Sequence, residues 1–165
     1  DLKVVRLGKA NRGAQLHEGT KHATGDVYWF IHADVRPIQG SGKQILKFLH
    51  YSNVVGGNFE VLFSGQNRSA RFLTWLYPHL KTLGLVYGDS AFFVRKEIYE
   101  EIGGFRDYPL FEDVEFYKKL KKRGKFVQIR MPVTVSSRRF ATRSFIWTFM
   151  KWSIRRDNYM LNKII

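Results

Sequence analysis

The sequence predicts an α/β layered fold with a largely parallel central sheet. Three observations predict it. Strand-like and helix-like runs alternate along the chain. The run Val27-Tyr28-Trp29-Phe30-Ile31 is apolar and aromatic without interruption, as in a strand covered on both faces. Glycines stand where three helices should stop, at Gly25, Gly103 and Gly124. A chain of 165 residues that is 44% hydrophobic and 16% aromatic can bury one core, which excludes a disordered or collagen-like chain.

The elements follow in order. Residues 2–7 read as a strand, and Ala14 to Thr24 as a helix. The apolar run 27–31 ends at His32-Ala33-Asp34, and Pro37 then breaks the chain before a helix near Lys43 to Tyr51. Asn58 to Phe63 alternates as a strand does, and Ser69 to Leu83 reads as a helix despite Pro78. A short strand at 91–94 precedes a helix at Lys96 to Ile102. Phe111 to Arg123 has Val114, Tyr117 and Leu120 on one helical face. Two strands, 126–129 and 133–135, precede a basic, aromatic-rich helix over 142–165.

Charge is unevenly spread. Residues 1–117 hold 14 basic and 13 acidic side chains, whereas residues 118–165 hold 14 basic ones and a single acid, Asp157. Such a segment suits an anionic partner: nucleic acid, a membrane surface or a phosphorylated substrate. The absence of cysteine removes disulfides, thiolate zinc sites and cysteine nucleophiles, and accords with a reducing cytoplasm. The longest apolar stretch, 144–154, is broken by Lys151 and is shorter than the roughly 20 residues that span a bilayer.

Five constellations can carry chemistry. His32-Ala33-Asp34 closes the most buried strand, where α/β sheets bind ligands and where an acid can hold a divalent cation; a turn or helix cap explains a lone Asp equally well. Glu112-Asp113-Val114-Glu115 opens a helix. Acids there complement the helix dipole, but three in four residues behind a glycine-rich loop also suit proton abstraction from a hydroxyl. Arg12-Gly13-Ala14-Gln15 offers a cation and helix N-terminal amides to phosphate, or is a plain strand-to-helix turn. Arg138 and Arg139 follow the last strand and can grip a pyrophosphate or remain surface charge. Gly88 and Asp89 precede a strand in Tyr87-Gly88-Asp89-Ser90, a sequence that also suits a simple turn.

The order of these blocks is more specific than any one of them. R-G-A-Q, then H-A-D, Y-G-D, G-G-F, E-D-V-E and S-x-R-R resembles family 2 glycosyltransferases, particularly the bacterial subgroup whose metal motif reads H-A-D. The resemblance covers Gly8 to about Phe140. It implies a GT-A-like three-layer fold, N-terminally incomplete because the family's opening strand is missing. Residues 1–140 would form the catalytic domain and 141–165 the C-terminal helix. The implied reaction is inverting transfer of a sugar from a nucleotide-diphosphate donor to an acceptor hydroxyl.

In that resemblance Asp34, with His32 beside it, matches the metal motif for Mn²⁺ or Mg²⁺, and Asp113 matches the catalytic base. Arg12, Gln15, Ala33, Asp34, Arg138 and Arg139 would face the donor, while Gly88, Asp89 and Glu112 would line the sugar and acceptor pocket. His32 departs from the acid most relatives carry. A lipid-linked acceptor at the inner membrane face would suit Trp147, Trp152, Arg155 and Arg156, and packing against the sheet or a second subunit suits them equally. Other readings are a sugar-nucleotide nucleotidyltransferase, a basic binding module and a scaffold without catalysis. The acids at 34 and 112–115 serve nucleic-acid binding poorly, so no nucleic acid is expected.

Overall fold

The computed structural model describes residues 3–8, 11–65, 68–82, 84, 86–105 and 112–138. Arg139 and the expected C-terminal helix lie outside these residues. Helices and strands alternate: α1 (Arg12–Thr20), β1 (Val27–Trp29), β2 (Val35–Arg36), α2 (Ser41–Leu49), β3 (Val54–Ser64), α3 (Arg68–Thr82), a 3₁₀ turn (Gly88–Ser90), β4 (Phe93–Arg95), α4 (Lys96–Glu101), α5 (Glu112–Lys121) and β5 (Lys125–Ser136).

The chain is a mixed α/β fold around one five-stranded sheet ordered β1-β4-β3-β5-β2. The sheet is not mostly parallel. Only β3 and β5 run parallel; β1/β4, β3/β4 and β2/β5 are antiparallel. A single helical crossover would have returned the chain parallel to β3. Here α3 is followed by a further run through Gly88–Ser90, and that added reversal turns β4 round.

Helices cover both faces. Ile45 and Leu49 of α2 and Ala70 and Leu73 of α3 share one core with Phe59, Val61 and Phe63. On the other face Leu16 of α1, Tyr99 of α4 and Phe116 and Leu120 of α5 pack with Tyr28, Phe30, Val55 and Phe92. Along β3, Phe59, Val61 and Phe63 face the first core at the strand's period of two, with Glu60 and Leu62 between them exposed, and Val55 serves the second core.

Several boundaries differ from the sequence expectation. Residues 3–7 form no strand, and Val4 is 73% exposed there. α1 begins earlier because the Asn11 side chain caps it, accepting from Ala14 N at 2.8 Å. β3 reaches back beyond the expected start at Asn58, through Gly56-Gly57, to Val54. Its physical reason is close approach: a Cβ on Gly56 would lie 2.5 Å from the Phe93 carbonyl oxygen of β4. The two strands expected over 126–135 are one strand. A bulge joins them, with Phe59 opposite Ile129 and Glu60 opposite Pro132. The run 27–31 is an edge strand rather than a central one, and Ile31 is 41% exposed.

Candidate functional site

Four of the five constellations meet at one end of the sheet. α1 begins with Arg12, whose guanidinium bridges the two acids that open α5. Its Nη2 donates to Asp113 Oδ2 at 2.8 Å, and its Nε donates to Glu112 Oε1. Both acids are buried, whereas the arginine side chain is 47% exposed, so Arg12 lies over them. Burial disfavours the guanidinium's charge, but Asp113 and then Glu112 outweigh it and hold its pKa above the ordinary range.

Asp113 is held from three sides. Gly88 N donates to the same Oδ2 at 2.8 Å, and Val114 N donates to Oδ1 at 2.8 Å. Three donors fix the carboxylate's orientation and leave one lone pair on Oδ1. Gly88 also locates His32. A Cβ at Gly88 would lie 2.9 Å from His32 Nε2 and 3.5 Å from Asp113 Oδ2. The end of β1 and the mouth of α5 therefore flank the same glycine, and a side chain there would push the His32 ring aside. The turn out of this segment is tight: Ala91 takes φ 54°, a left-handed conformation, on the way into β4.

Asp89 lies in the same 3₁₀ turn. Its Oδ2 accepts from the Tyr77 hydroxyl on the inward side of α3, and its buried Oδ1 has no hydrogen-bond partner among the described residues. Burial raises its pKa to about 6; the Tyr77 hydrogen bond opposes that rise, Asp113 adds to it, Arg12 opposes it and Asp34 adds to it. Asp89 thus senses the charges of both Asp34 and Asp113, so the three acids share one side of the fold.

Asp34 ends the turn after β1 and is partly exposed. Val35 N donates to His32 O at 3.0 Å, and Ser136 N donates to Asp34 O at 3.1 Å, so both flanks of the turn are fixed by backbone. Ala33 is exposed at its tip, and Gln15 is exposed on α1 without a side-chain bond to the cluster. Arg138 is exposed too. Its Nε donates at 3.1 Å to the Oγ of Ser136, the residue whose N–H holds the Asp34 carbonyl. Arg12, expected to face phosphate, is instead committed to Glu112 and Asp113. Sequence reasoning missed Tyr77, whose only signal is its place on the inward face of an aromatic helix.

Among the described residues no group of three His, Asp or Glu side chains could cage a metal, and no helix is long and apolar enough to cross a membrane. No protein-family model, curated protein or solved structure matches the chain.

Asp89 gives a pH test. Its pKa is raised in the folded chain, so the stability it contributes is full below the unfolded value near 4 and is lost as pH rises through about 6. Asp89→Asn keeps an acceptor for Tyr77 and carries no charge. Without divalent cations, the variant is expected to exceed the parent by about 3 kcal/mol at pH 7.5 and to come close to it at pH 4. Thermal melts at the two pH values check this. Parallel pH slopes would refute it.

Proposed function

We propose that this chain is the metal- and acceptor-side part of an inverting glycosyltransferase of the GT-A type, acting on a nucleotide-diphosphate sugar. The observation that carries the reading is the convergence of Asp34, Asp89 and Asp113, from three distant segments, with Arg12 and Gly88 between them. Acids that serve only as helix caps have no reason to meet. Here Arg12 and Gly88 N meet at Asp113, and the charges of Asp113 and Asp34 both bear on Asp89.

The residues fit a cation that arrives with its substrate. Mg²⁺ commonly takes one or two protein carboxylates and completes its shell with phosphate oxygens and water, so a three-residue cage is unnecessary. Asp34, partly exposed on a fixed turn, would hold it, with His32 beside. Bound there, the cation supplies a Lewis acid to the departing diphosphate. Asp113 accepts the acceptor hydroxyl's proton as that oxygen bonds to the sugar's anomeric carbon and the carbon–diphosphate bond breaks. One base and a neutralised leaving group suffice for inversion. Arg12 and Gly88 N fix the carboxylate. Arg12 must yield part of its cover for the hydroxyl to enter, and an anionic diphosphate is a competitor for its guanidinium.

Nucleoside diphosphate together with Mn²⁺ or Mg²⁺ is expected to raise the melting temperature of the full chain. At a hundredfold excess over Kd the gain is about 2.7 kcal/mol. Asp34→Ala is expected to abolish it. Protection without a cation, or protection that survives Asp34→Ala, would exclude this role for Asp34.

A further inference from the structure

The two helical layers differ in charge. Residues 37–52 and 65–82, which contain α2 and α3, include no aspartate or glutamate. They present Lys43, Lys47, Arg68 and Arg71 to solvent. The opposite layer mixes the two signs: Arg12 and Glu18 on α1, Lys96 and three glutamates on α4, and on α5 three acids with Lys118, Lys119 and Lys121.

The basic layer is also where large apolar side chains stand uncovered. Leu46 is 66% exposed, Trp75 60% and Phe72 43%. Arg68, Phe72, Trp75 and His79 recur at helical spacing, so they share the outward face of α3 while Ala70, Leu73 and Tyr77 face the sheet. The rings form a continuous strip, with Phe72 and Trp75 5.9 Å apart and Trp75 and His79 4.8 Å apart.

We propose that the α2/α3 layer is a docking surface for an anionic lipid bilayer. Lysine and arginine draw the face to lipid phosphates, and the aromatic strip with Leu46 enters the headgroup boundary, as an in-plane amphipathic helix does. Charge complementarity alone would also suit nucleic acid, but the protruding Leu46 gains only from an apolar phase. The surface stands independently of the transferase reading. Tyr77 ties the inward side of this same helix to Asp89, so docking sets the acidic cleft one helix away from the lipid.

The test is co-sedimentation of the full chain with vesicles containing phosphatidylglycerol or made of phosphatidylcholine alone. Binding is expected only to the anionic vesicles and is expected to weaken with salt. The double variant Phe72→Ser, Trp75→Ser should bind about tenfold more weakly or worse, with an unchanged melting temperature, because both side chains are exposed. Lys43→Gln with Lys47→Gln, on the other helix, should weaken binding several-fold. Failure of the parent to prefer anionic vesicles, or full binding by the aromatic variant, overturns the proposal. A dimer that the aromatic variant dissolves would assign the face to a second copy and overturn it too. So would a single-stranded RNA that binds more tightly than the vesicles and is released by the lysine variant.

Discussion

Replacing Asp113 by asparagine is expected to lower sugar transfer by about 10³-fold, the scale of a lost general base, while cation-dependent protection by nucleoside diphosphate persists. Asparagine keeps one oxygen, which can still accept from Gly88 N and Arg12, so the mouth of α5 should hold its shape. What disappears is the capacity to take a proton at neutral pH. Release of nucleoside diphosphate in the presence of acceptor, measured with a donor the parent turns over, reads the first effect. Melting with Mn²⁺ reads the second. An asparagine variant that transfers at the parental rate would remove Asp113 from the chemistry, whatever the fate of Asp34.

The second large effect is on stability. Arg12→Ala leaves Glu112 and Asp113 adjacent, buried and without their shared cation. Breaking a buried ion pair from one side costs about 3–5 kcal/mol. Arg12 is 47% exposed, so water offsets part of that cost, and a loss of about 2 kcal/mol is expected. For a chain of this size that is a fall of roughly 6 °C in Tm. Lysine should restore only part of it, because an ammonium cannot span two carboxylates as the guanidinium fork does. Arg12→Met keeps most of the apolar stem without the charge and should lose about as much as alanine, because it is the shared cation that is removed. A methionine variant as stable as the parent would show that packing of the arginine stem, not its charge, was lost in the alanine variant.

How much of this was legible beforehand depended on the range of the interaction. The helices were readable because their signals are local: apolar spacing in α5, the glycine stops, and the acids of its first turn. The short β2 carries no signal in two residues, and it exists because β5 offers Val35 and Arg36 a partner. Strand direction was misread because alternation of strands and helices does not reveal the extra reversal before β4. The extension of β3 through Gly56 and Gly57 was not legible because the strands that press on them, at Phe93 and Val127, lie far along the chain. In the site, the acids at 34, 89 and 113 were legible as residue types at strand and helix ends. That Arg12 would pair with α5, and that Tyr77 would reach Asp89, are facts of tertiary contact that no spacing encodes.

The pairing of β5 with both β3 and β2 has a consequence for the order in which the molecule is made. Among the described residues β2 pairs with β5 alone, and the backbone oxygen of Asp34 is tied to Ser136, about a hundred positions later. Contacts so distant in sequence form only after a large closure entropy is met. A nascent chain that has not yet delivered Ser136 from the ribosome holds Asp34 on an untethered hairpin-like turn. The position of Asp34 relative to the other acids therefore waits on the synthesis of β5, which pairs with both β3 and β2.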